Sequence, residues 1–91
     1  MSSLDDVYER LKEFRRALGD FREACRDSMG KVRDQHDVVA PLWQDRVRQQ
    51  YEARWIPHEE ALDRFLNRSA PACEEFVDQK IRALGAYLDD F

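Results

Sequence analysis

Ala40-Pro41-Leu42-Trp43-Gln44-Asp45 stands near the middle of a chain of 91 residues, and its reading decides the fold. On both sides of it apolar residues recur at helical spacing. Proline disfavours helical geometry at the residue before it, so a helix arriving from the N-terminal side should stop at Ala40. An acid is favoured in the first turn of a helix, so Asp45 suits the opening of the next one. The stretch reads as a turn over about 40–42 that folds one long helix back on another. The expected architecture is all-α: an antiparallel helical hairpin, a single domain over 1–91 with helices over about 4–39 and 43–89.

Upstream, Ser3 is a good N-cap, with Asp5, Asp6 and Glu9 near the positive helix end. Leu4, Leu11, Leu18, Cys25, Val32 and Val39 recur seven apart, and Val7, Phe14, Phe21 and Ser28 form a second series. On a helical wheel these cover a face about 100° wide, suited to a seam against one antiparallel helix. Arg10, Glu13, Arg16, Asp20, Glu23 and Asp27 lie opposite and read as a solvated face. Gly30 costs about 1 kcal/mol relative to alanine inside a helix, yet Val32 and Val39 keep the phase, so one helix bent near Gly30 is expected.

Downstream, Trp43, Val47, Tyr51, Trp55, Leu62, Phe65, Cys73, Phe76, Leu84 and Leu88 carry the apolar phase through Pro57 and Pro71. An interior proline kinks a helix, so a long rod kinked near Pro57 and Pro71 is expected; a compact three- or four-helix bundle is the alternative. The apolar face of this second helix is wider, about 200°. A narrow stripe cannot cover it, which would leave Leu66, Val77, Ile81, Leu84 and Leu88 as an uncovered edge. Large exposed apolar patches generally mark interfaces, so a four-helix dimer meeting through those five residues is expected, with an identical or a different hairpin.

Composition narrows the function classes. Twelve arginines and three lysines are mixed with nineteen acids along the whole length, for a formal charge of −4. Phosphate-backbone binding needs clustered positive charge, so nucleic acid is not an expected partner. No apolar run approaches the roughly 20 residues of a membrane span. Met1-Ser2-Ser3-Leu4-Asp5-Asp6 lacks the pattern of a cleaved signal, which implies a cytoplasmic protein, or one exported by a leaderless route.

No catalytic, cofactor or metal site is expected. His58, Glu59 and Glu60 are consecutive and diverge on a helix, and a turn centred near 41 places His36 opposite about Arg46. Cys25 with a histidine is the sharpest enzymatic pairing available, and a pair of rods offers it no pocket. The same turn sets Cys25 opposite about Pro57 and Cys73 opposite about Glu9, some 24 Å apart along the rod, too far for a disulfide. Two buried, unpaired thiols are expected.

Two long helices of similar length, and the central Trp43-Gln44-Asp45, resemble the WxG-motif proteins, the small ESAT-like helical hairpins of type VII secretion. In that family the tryptophan sits at the turn and members pair as antiparallel homo- or heterodimers. The resemblance implies a protein-interaction module: a secretion substrate or the partner of one, engaging a similar small helical protein and a secretion-type ATPase or other larger protein. Asp45 stands where the family has glycine. The family's export signal sets an acid four residues after a tyrosine; here Tyr87 is followed at that distance by Phe91, with Asp90 one position early. A cytoplasmic coiled-coil-like adaptor is the competing expectation.

Overall fold

The computed structural model describes residues 3–90. Met1 and Ser2, part of the leader reading, and Phe91, the end of the Tyr87 spacing, lie outside them. Helix α1 spans Leu4–Val39 and α2 spans Arg46–Arg64. A five-residue π-helical segment, Phe65–Ser69, joins α2 to α3, Ala70–Asp89. No strand occurs among the described residues.

Helix α1 opens as its sequence suggests: the Ser3 hydroxyl accepts the Asp6 N–H at 3.1 Å, satisfying one of the first-turn donors. The helix runs through Gly30 without interruption. It ends in a knot of short bonds around the proline. Ala40 N–H donates to the His36 carbonyl at 2.8 Å, and the N–H groups of Leu42 and Trp43 both donate to that of Val39 at 2.9 and 3.1 Å.

The reversal is longer than the expected 40–42. Asp45 is extended and stands outside α2 as its N-cap, accepting the Arg48 N–H. Helix α2 therefore starts at Arg46, three residues later than residue 43. The second arm is also not one α-helix. Pro57 is accommodated inside α2, but Pro71 has no N–H to give to the Asn67 carbonyl. The turn before it widens: Ala70 N–H reaches back to Phe65, the i→i−5 bond of a π-helix.

The second arm returns along the first. Tyr8 lies against Gly85, Arg15 pairs with Asp78, Arg33 with Asp63, and His36 stacks on Trp55. A turn centred near 41 would have set Arg15 against Asn67 and His36 against Arg46. The longer reversal and the π segment, which uses an extra residue per turn, both move the register in the observed direction. The molecule measures 68 × 21 × 16 Å, two helices wide and one deep.

The register also relocates the cysteines. Both thiols are free, Cys25 half-buried and Cys73 exposed. Arg22, one turn before Cys25, reaches Glu74, the neighbour of Cys73. The two cysteines therefore stand at nearby levels of the rod, not the expected distance of roughly 24 Å apart.

The arms approach closely only along α3 and the π segment; no Cα of α2 comes within 8 Å of α1. Toward the reversal they diverge, and long side chains bridge the wedge. Met29, Leu66 and Val77 are the buried apolar residues among those described. This overturns part of the expected uncovered edge. Leu66 and Val77 are covered by the chain itself, and Ile81, Leu84 and Leu88 are half-buried. The phase of the π segment and of α3 turns these residues toward α1, and it is α1 that carries the surplus.

Candidate functional site

Three features stand out, the first two traceable to the rotation of α1 about its own axis. The inward face of α1 is not the pair of series Leu4/Leu11/Leu18 and Val7/Phe14/Phe21. It joins Leu11, Leu18 and Cys25 to Tyr8, Arg15, Arg22, Met29 and His36, which are also seven apart and are all half-buried or buried. The Arg10, Glu13, Arg16, Asp20, Glu23 and Asp27 face is solvated.

The first feature is a set of ion pairs on this inward face. Glu74 is 4% exposed and lies between two guanidinium groups, Arg15 at 3.4 Å and Arg22 at 2.8 Å. The contact with Arg22 is charge proximity without hydrogen-bond alignment at Glu74 Oε1. Arg15 Nε also donates to Asp78 at 2.7 Å. Farther up the rod Arg33 donates to Asp63 and lies 3.6 Å from Glu59. Hydrogen bonding to Asp78 raises the Arg15 pKa, and hydrogen bonding to Asp63 raises that of Arg33; in each case desolvation opposes and the nearby carboxylates add to the rise. A pKa raised above that of an already permanent cation leaves both arginines charged at any physiological pH.

The second feature is the apolar flank that this rotation leaves outside. Phe14 is 51% and Phe21 56% exposed, with Val7 and Leu4 also exposed. Phe21 packs edge-on against Phe65 at 6.1 Å between ring centroids. On α3, Phe76 lies two residues, about 200°, from Asp78. It is 58% exposed, under Lys80. Phe14 and Phe21 of α1 and Phe76 of α3 are thus exposed rings, whereas Glu74 is buried in the seam between the arms.

The third feature lies in the wedge near the reversal. His36 stacks on Trp55 with centroids 5.1 Å apart, and Tyr51 lies 6.2 Å from Trp55 and 5.5 Å from Trp43. Trp55 Nε1 donates to Glu59 at 3.0 Å. Trp43 is half-buried at the end of this row. Gln44 Nε2 donates to the Pro41 carbonyl at 3.0 Å, so the side chains of Gln44 and Asp45 close the turn while that of Trp43 turns to Tyr51.

The residues singled out from sequence distribute across these features. Trp43 and Asp45 sit at the wedge and the cap; Leu66, Val77, Ile81, Leu84 and Leu88 sit in the seam. Sequence reasoning did not single out Arg15, Arg22, Arg33, Glu74 or the Tyr51/Trp55/His36 row. The signal was present, since Tyr8, Arg15, Arg22, Met29 and His36 share one seven-residue phase with Glu74, Ile81 and Leu88 sharing another.

Among the described residues no group of three or more His, Cys, Asp or Glu is arranged to hold a metal ion. None of the described helices is long and apolar enough to cross a membrane. No family model matches the chain, and no curated protein or solved structure does either.

Proposed function

We propose that the chain is a non-enzymatic protein-interaction module: a helical hairpin that pairs with a second, similar hairpin through the Val7/Phe14/Phe21 and Phe76 side. The exposed flank is the observation that carries this reading. A compact protein of 10.8 kDa has about 5,500 Å² of accessible surface, whereas this chain exposes 7306 Å². Thin rods expose more than spheres, and the excess of about 1,800 Å² exceeds the roughly 800 Å² that each partner contributes to a standard interface. A second hairpin laid on that side would make four helices around a common core. The proposed interface accordingly moves from Leu66, Val77, Ile81, Leu84 and Leu88 to the α1 flank and Phe76.

The resemblance to WxG-type secretion substrates or their partners rests on the length, the two-arm pattern and Trp43 at the reversal. On that reading a larger protein, such as a secretion-type ATPase, is a further partner, and leaderless export is the alternative to residence in the cytoplasm. A cytoplasmic coiled-coil-like adaptor is the second reading, and Asp45 favours it. As the cap of α2 the acid has a local structural reason, so Trp43-Gln44-Asp45 needs no link to the glycine-bearing motif. Genomic neighbours separate the two, an FtsK-like ATPase alongside favouring secretion.

Light scattering at micromolar concentration tests the pairing. The wild-type chain should run at twice its monomer mass, and Phe14→Asp with Phe21→Asp should run as a helical monomer. A monomeric wild type overturns self-pairing.

A further inference from the structure

The wedge between α1 and α2 contains a cavity of about 460 Å³, within the range of small-molecule sites. Val32 and Val39 of α1 and the adjoining Ala40 form one wall; Trp43 and Tyr51 face them. The cavity exists because the six-residue reversal holds α2 off α1, and the ring row occupies only one side of the gap.

Its charges are few. Arg48 and Glu52 both line it, but Arg48 Nε and Nη2 each lie 3.1 Å from the same Glu52 oxygen and the two neutralise one another. Lys31 is the remaining ammonium in the lining, and no described residue bonds or pairs with it. The site therefore offers an apolar body and one unpaired lysine ammonium. A cationic guest would meet Lys31 with Glu52 already engaged; a neutral apolar guest would leave the ammonium unused.

The geometry points to a binding site for a small amphipathic carboxylate, its apolar body against Val39, Trp43 and Tyr51 and its carboxylate at Lys31. The site is built within one chain and does not rest on the pairing reading above. The interface flank, Phe14 and Phe21, lies more than two helical turns away along α1.

The chain has two tryptophans, Trp43 in the cavity wall and Trp55 in the ring row, so intrinsic fluorescence reports on this end of the rod. Octanoate, octan-1-ol and octyltrimethylammonium, each below its aggregation concentration, separate charge from chain length. Octanoate should change the emission saturably and bind more tightly than octanol, with octyltrimethylammonium the weakest. Lys31→Gln should weaken octanoate about two- to fivefold, the range of an exposed charge pair, and leave octanol unchanged. Val39→Asp should remove octanoate binding, and Phe14→Ser should not alter it. Light scattering on the same samples reports pairing separately. Absence of a saturable response, equal affinity for octanoate and octanol, an unaffected Lys31→Gln, or loss of binding in Phe14→Ser each overturns the site.

Discussion

The two flanks of α1 invert the usual rule of burial. One carries Val7, Phe14 and Phe21 and faces outward; the other carries Arg15 and Arg22 and faces the second arm. Apolarity alone would have turned the helix the other way. What decides the rotation is the partner, because α3 buries Glu74 where a cation must answer it. A buried carboxylate without a counter-charge is far more costly than an exposed phenylalanine. The lesson is that a stripe of hydrophobic residues identifies a contact surface without saying whose contact it is.

The largest expected effect attacks the arginine flank. Arg15→Leu with Arg22→Leu leaves Glu74 buried and unpaired, a loss of about 3–5 kcal/mol. Adding Glu74→Leu should recover most of it, since buried ionic clusters can be exchanged for packed apolar ones at little cost. Urea melts of the three proteins check this. A double mutant as stable as the wild type would show that the ion pairs do not set the rotation of α1.

Trp43→Ala ranks second and compares the turn end with the seam. A fully buried tryptophan would cost 3–5 kcal/mol to truncate. Trp43 is half-buried and touches Tyr51 in a row with an open side, so about 2 kcal/mol is expected by thermal melt. Loss of partner binding with unchanged stability would instead make Trp43 a docking residue.

The ends of the first helix were legible because their causes are local. Ser3 lies three residues before the N–H it accepts, and Pro41 acts on its own neighbour. The rotation of α1 was not legible, because Arg15 and Arg22 look like solvated charges until Glu74 and Asp78, more than fifty positions away, are placed opposite them. The register was lost for a local reason that admits two solutions. An acid at Asp45 can serve inside the first turn or cap it from outside, and three residues separate the outcomes. The π segment compounds the error, since Pro71 can be relieved by a kink or by widening the turn before it.

Salt should act on one flank and leave the other unchanged. Raising sodium chloride from 0.1 to 1 M shortens the Debye length from about 10 to 3 Å and weakens the partly exposed pairs of Arg15 and Arg33. A loss on the order of 1 kcal/mol is expected in the Phe14→Asp, Phe21→Asp monomer. Pairing through the apolar flank carries no such dependence, so sedimentation of the wild type across the same range should show no dissociation. Dissociation in salt would move the interface onto the charged face.

The smallest effect compares two glycines. Gly30 is exposed, and a methyl group there would meet nothing within 4 Å. Gly30→Ala should therefore realise the helix-propensity difference in full, a gain of about 0.5–1 kcal/mol. At Gly85 the added carbon would lie 3.1 Å from the Tyr8 hydroxyl oxygen and 3.3 Å from its ring. The same propensity gain there is offset by displacing a ring that also carries Lys12 at 4.4 Å. Gly85→Ala should be the less stable of the two in parallel melts, because α3 meets α1 closely at this level. Equal gains at both positions would mean that Tyr8 does not rest on Gly85, and that the seam is open at its terminal end as well as at the reversal.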